Sequence, residues 1–198
     1  MDGTVMNDSL GRFLVDAKDY ELISKVGGGK ARNLSQLVAL GFEVPKFAVV
    51  TTQAHQEYLR SHQLLPELNP SSLGSGELEA FEKKLEARFL DLPLPGTIRD
   101  QLRALLQKNN WQESWLAVRS SGLEEDGVNH SFAGQFSSFL FQRGAEQIEQ
   151  SIRRCWASAY SARGLSYRRL KGLPQQGILM GVVIQEMIPS DSAGVAFS

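Results

Sequence analysis

The chain has 198 residues and a mass of 21.9 kDa, with 42% hydrophobic and 22% charged side chains. That is a soluble globular profile, which excludes pervasive disorder and should bury about 70% of the unfolded surface. Lys and Arg number 21 against 22 Asp and Glu, so a net charge of -1 excludes a broad nucleic-acid footprint and leaves only a local basic pocket open.

Short apolar pieces, Phe13-Leu14-Val15 and Leu22-Ile23, precede a glycine run at Gly27-Gly28-Gly29. Lys30 follows, and Leu34, Leu37 and Val38 recur at helical spacing up to a stop at Gly41. Pro45 and then Phe47-Ala48-Val49-Val50 predict a short buried strand. Thr51 or Thr52 can cap the next helix, which carries Ala54, Tyr58 and Leu59. Asn69 to Gly76 is a turn-rich break. Leu78, Phe81, Leu85 and Phe89 then mark one helix face, and Ile98, Leu102, Leu105 and Leu106 another, closed by Asn109-Asn110.

Trp115 to Val118 reads as a strand, with Arg119 at its C-terminal end before an acidic loop, Glu124-Glu125-Asp126. Alternation around Phe139 and Phe141 predicts a strand that turns both rings to one face. Ile148, Ile152, Cys155 and Trp156 predict a helix, and Tyr160 to Leu170 a second, arginine-rich one. Arg153, Arg154, Arg163, Arg168 and Arg169 are expected on a solvated helix surface. Gly177 to Gln185 reads as a buried strand, and Ala193 to Ser198 as the start of another. Ending on an apolar strand suits a piece of a longer protein.

The single cysteine, Cys155, excludes an intrachain disulfide and a Cys-rich zinc site, and is expected in the core. His55, His62 and His130 lack ligand-like spacing. Met1 to Thr4 has no signal-peptide character. The longest apolar stretch, Ile178 to Ile184, falls far short of a membrane span. The expectation is a soluble, cytoplasmic chain with no nucleic acid, no membrane and no metal site of its own.

Four segments carry chemistry. Gly27-Gly28-Gly29-Lys30 places glycines and a lysine at a helix start, where backbone N–H groups attract anions. It fails the phosphate-loop and dinucleotide templates at Ser24, Ala31 and Arg32, and taken alone it reads more readily as a turn. Arg119 offers a planar fork for phosphate oxygens, or a structural ion pair with Glu124, Glu125 or Asp126. Ser131-Phe132-Ala133-Gly134-Gln135 can lie against a ligand or form a hairpin turn. Val183 to Ile188 can offer backbone to a base edge, or be a core strand. His130 beside the acidic loop is either a general base or a surface residue.

In order, these blocks resemble one family. Gly28-Gly29-Lys30-Ala31-Arg32-Asn33-Leu34 and Gly41-Phe42-Glu43-Val44-Pro45 resemble the opening of phosphoenolpyruvate synthase and pyruvate phosphate dikinase. Ala117-Val118-Arg119-Ser120-Ser121, Glu125-Asp126 and Ser131 to Gln135 resemble its second block. Cys155-Trp156-Ala157-Ser158, Ser166-Tyr167-Arg168, Val183 to Met187 and Ser192-Ala193-Gly194-Val195 continue it. The resemblance runs from about Lys25 to Ser198, weakest between Asn69 and Trp111.

That resemblance implies an α+β, ATP-grasp-like fold with two lobes of short mixed or antiparallel sheets flanked by helices. Residues 1–111 would be the N-terminal lobe and 112–198 a second lobe, incomplete at its C-terminus. It assigns Lys30 and Arg119 to ATP phosphates, Gly134 and Ser138 to the phosphate clamp, and Gln185 and Met187 to adenine. Mg2+ ligands and the phosphorylatable histidine are expected beyond Ser198, so the chain alone should be inactive. The full protein would be a phosphotransferase turning ATP, pyruvate and water into AMP, phosphoenolpyruvate and phosphate through a phosphohistidine. A rifampin phosphotransferase-like enzyme with another small-molecule acceptor is a second reading. A non-catalytic nucleotide-binding or interaction module is a third, and a homo-oligomer of the full protein stays open.

Overall fold

The computed structural model of the chain describes residues 11–123, 126–127, 130–131, 137–192 and 194. Strand β1 (Leu14–Asp16) leads to helices α1 (Tyr20–Val26) and α2 (Gly29–Ala39), strand β2 (Phe47–Val50) and helix α3 (Thr52–Ser61). Helices α4 (Leu78–Asp91) and α5 (Gly96–Lys108) come next. They are followed by β3 (Leu116–Gly122), the short pair β4 (Asp126–Gly127) and β5 (His130–Ser131), and β6 (Ser138–Gln142). Helices α6 (Gly144–Ser158) and α7 (Ala162–Leu170) precede β7 (Met180–Glu186).

Five strands form one antiparallel sheet in the order β1-β2-β7-β3-β6. The last strand in sequence therefore lies at the centre, bonded to β2 on one side and β3 on the other. The fold is α+β. The expected division near Trp111 runs through this sheet, because β1 and β2 precede it and β3, β6 and β7 follow it.

Side-chain alternation gives each sheet face its own core. On one face, Ala48, Val50, Leu116, Val118, Val182 and Ile184 meet the buried sides of α3 to α6. The predicted inward residues Ile98, Leu102, Leu105 and Leu106 are all buried there, as are Leu85 and Phe89. Each such side chain contributes about 1.5–3 kcal/mol on leaving water. On the other face, Val15, Phe47, Val49 and Val183 pack under Ile23 and Ala31 of α1 and α2. Helices α1 and α2 thus sit on the face opposite the large core.

Thr51 is the residue that caps α3: its Oγ1 accepts the Ala54 N–H at 3.3 Å. The same hydroxyl donates to the Phe13 carbonyl at 3.2 Å, tying the helix start to the segment entering β1. Thr51→Ala should therefore lower stability by about 1 kcal/mol in urea unfolding.

Three expectations are corrected. Arg119 is not at a strand end: β3 continues to Gly122, and Arg119 is its middle residue, paired with Val183 and Ser138. Small residues Ser120, Ser121 and Gly122 keep pairing with β7 because no bulk or proline interrupts the ladder. Phe139 and Phe141 do not share a face. Phe139 packs on the core, whereas Phe141 is 61% exposed at φ 56°, where a register shift between β3 and β6 breaks the alternation.

Of the arginines expected on a solvated surface, Arg163 is exposed, but Arg153, Arg168 and Arg169 are not simply solvated. Arg168 is buried and donates from Nε to the Pro174 carbonyl at 2.7 Å. Arg153 donates to the Leu90 and Leu92 carbonyls, and Arg169 to the Pro70 carbonyl at 3.3 Å. Their long stems reach backbone carbonyls at a helix end and in turns. The strand expected at 193–198 falls mostly outside the described residues.

Candidate functional site

The glycine run is shaped by close approach to the sheet. Gly28 is the N-cap of α2 at φ 81° and ψ 175°. A Cβ there would stand 2.0 Å from the backbone oxygen of Ser121 on β3. A Cβ on Gly181 of β7 would stand 2.3 Å from the Gly27 oxygen. The loop therefore lies on the backbones of β3 and β7 with no side chain between them.

Gly28 has no side chain with which to cap α2. The Ser121 hydroxyl takes that part, accepting the Ala31 N–H at 3.1 Å across 90 positions of sequence. One first-turn donor is thus already used by the protein itself. Lys30, at the second position of α2, is half-buried. Its ammonium acts electrostatically on the Cys155 thiol, which packs beneath the carbonyls of Val118 and Ser137. Burial drives that thiol well above its ordinary range, and Lys30 pulls it only partly back. Cys155 is accordingly a core residue and not a nucleophile.

Arg119 stands on the same face, at an alternate position from Ser121. Its Nη1 donates to Gln185 Oε1 at 3.1 Å, and Gln185 Nε2 donates to the Pro45 carbonyl at 3.4 Å. Ser138 is directly opposite Arg119 on the edge strand β6 and is exposed. The fold thus brings Arg119, Ser138 and Gln185 together by register and hydrogen bonding, and fastens the Lys30 helix to the same strand. Met187 stands apart, just beyond β7, where its N–H donates to the Trp115 carbonyl at 3.0 Å and its sulfur accepts the Phe141 N–H at 3.1 Å. Gly134, Glu124 and Glu125 lie outside the described residues.

Sequence reading passed over Ser121. The signal was the small doublet after Arg119, but its role needs a partner 90 positions away. His55, read in the sequence only for its lack of ligand-like spacing, is fully buried and stacked on Trp156 at 5.1 Å and 13°. His55 Nδ1 accepts the Met180 N–H at 3.1 Å. Burial alone holds the imidazole pKa down to about 3.

Residues 24–198 match the family described as pyruvate phosphate dikinase, AMP/ATP-binding domain. The chain belongs to that family. It is 34% identical over 181 residues to a phosphoenolpyruvate synthase of Aeropyrum pernix, covering 86% of this chain and 22% of that protein. It is 34% identical over 199 residues to a rifampicin phosphotransferase of a Streptomyces species, covering 95% of this chain and 22% of that protein. It is 32% identical over 183 residues to the prodigiosin synthesizing transferase PigC of Serratia marcescens, covering 86% of this chain and 18% of that protein. The chain thus spans about a fifth of the length of these relatives. What it shares with them is the AMP/ATP-binding domain, so an adenine nucleotide is the ligand class and phosphotransferases are the relatives. Among the described residues, no helix is long and apolar enough to cross a membrane.

Proposed function

We propose that this chain is the nucleotide-binding part of a phosphoenolpyruvate synthase-like phosphotransferase. The whole protein would convert ATP, pyruvate and water to AMP, phosphoenolpyruvate and phosphate through a phosphohistidine. One observation carries the reading: the half-buried Arg119 guanidinium sits mid-sheet beside Ser138 and Gln185, on the strand whose Ser121 holds the Lys30 helix. Two cations anchored to one strand can neutralise adjacent phosphates, and the guanidinium fork adds direction to charge. Ser138 and Gly134 would close over the phosphates. Gln185 and Met187 would place the adenine at the far end of β7.

Mg2+ needs oxygen ligands, carboxylates above all. Lys30, Arg119, Ser138 and Gln185 supply two cations, a hydroxyl and an amide, so this set does not fit a resident Mg2+. The carboxylates for it would belong to the remainder of a longer protein.

Arg119→Ala in the full-length protein should weaken Mg-ATP binding by about tenfold to a hundredfold in calorimetry, the worth of a charge-assisted hydrogen bond. Unchanged affinity would remove Arg119 from the site. A rifampicin phosphotransferase-like enzyme is the second reading, favoured by the match to that relative across 95% of this chain. Phosphoenolpyruvate formed from pyruvate would support the first; a mass gain on rifampicin would support the second.

A further inference from the structure

We propose that Ser121 is a positioning residue that holds Lys30 in register with Arg119 for phosphate binding; this rests on reading those two cations as the phosphate contacts. The first turn of any α-helix has N–H groups without intrahelical acceptors, and a side chain at the N-cap ordinarily takes one. Gly28 occupies the N-cap of the 11-residue helix α2 and has no side chain to offer. Ser121 supplies the missing acceptor to Ala31 from the neighbouring strand at 3.1 Å.

Everything around Ser121 is arranged for this contact. The residue is 0% exposed. Its sheet partner is Gly181, whose Cβ would come within 3.3 Å of the Ser121 oxygen. Above it, a Cβ on Gly28 would lie 2.6 Å from the Ser121 hydroxyl. Any larger side chain at either glycine would lift the loop from the strand.

The consequence is geometric. Ser121 and Arg119 point to the same sheet face, about 7 Å apart along the strand. Ala31 adjoins Lys30 in the first turn of α2. This hydrogen bond therefore ties the first turn of α2, and with it the Lys30 backbone, to the strand that carries Arg119. Ser121 itself, buried and bonded to the helix, need not touch a nucleotide. Its effect should appear on phosphates and not on the base.

The test uses full-length protein with Mg-ATP and adenosine as probes. Ser121→Ala should weaken Mg-ATP about fivefold to tenfold while leaving adenosine affinity unchanged. Amide hydrogen exchange at residues 29–32 should accelerate in the same variant. Ser121→Cys, close in volume with a weaker acceptor, should fall between wild type and Ser121→Ala, and serves where the alanine variant folds poorly. If Lys30→Ala weakens Mg-ATP and neither Ser121 variant does, the positioning role is wrong. Equal loss for Mg-ATP and adenosine would also overturn it, since that is what general structural damage produces. If Lys30→Ala leaves Mg-ATP affinity unchanged, the phosphate reading itself falls and takes this role with it.

Discussion

Gly28→Ala is expected to destabilise the protein by several kcal/mol and to abolish nucleotide binding. Two penalties coincide at this position. With φ 81° and ψ 175°, the backbone is in a region essentially reserved for glycine. The new methyl would also stand 2.0 Å from the Ser121 oxygen and 2.5 Å from its carbonyl carbon. Both are strand backbone, paired with β7, and cannot swing away as a flexible side chain could. The strain alone costs on the order of 1–3 kcal/mol. The clash adds to it, against a total stability of about 5–15 kcal/mol for a domain. Gly41→Ala is the internal control: φ is 84° there, yet nothing lies within 4 Å of the added methyl. Urea unfolding should show a clearly smaller loss for Gly41→Ala, which carries a positive-φ penalty without the backbone clash. Equal losses at both positions would mean that the loop does not rest on β3 as described.

Acid should unfold the protein through His55. Its folded-state pKa is about 3, against an ordinary value of 6.5, and the cause is burial of the ring beside Trp156. Nδ1 is committed as an acceptor to the Met180 N–H, so a proton there would break that bond. Among the described residues Nε2 has no hydrogen-bond partner to share a positive charge. The sign follows from linkage: between pH 6.5 and 3 the unfolded chain binds a proton that the folded one refuses. Stability from this group is complete above pH 6.5 and is lost as pH falls toward 3. The slope approaches about 1.4 kcal/mol per pH unit, which over this window rivals the stability of a marginal domain. Carboxylates begin to titrate below about pH 5, so the comparison with a variant isolates the histidine. His55→Asn keeps an acceptor for Met180 and has nothing to titrate. It should be less stable than wild type at pH 7, through lost stacking, and show a flatter decline between pH 6.5 and 5. Parallel pH profiles for the two proteins would exclude His55 as the acid trigger.

Much of this molecule is legible along the chain because the relevant forces are local. Helical spacing at Ile98, Leu102, Leu105 and Leu106 foretells which face of α5 is buried. The Thr51 cap, the continuous apolar run of β2 and the stop after Leu40 depend on neighbours within a turn or a strand. The ordered blocks around Lys30, Arg119 and Gln185 also suffice to place the chain in its family.

Tertiary structure decided what depends on partners distant in sequence. Nothing near Arg119 says that β3 runs on to Gly122, because that extension is held by β7, some 60 positions later. Nothing near Gly28 says that its missing side chain is replaced by Ser121. Arg153, Arg168 and Arg169 look like a wet surface by charge alone, yet each donates to a backbone carbonyl brought near by the fold. Phe141 turns outward because pairing with β3 slips by a register, which alternation within β6 cannot foresee. Local spacing therefore foretells many of the helices and strands, and the resemblance of the ordered blocks points to the family. The sheet's pairing order settles which side chains meet, since a hydrogen bond across 90 positions is chosen by the fold and not by the segment that makes it.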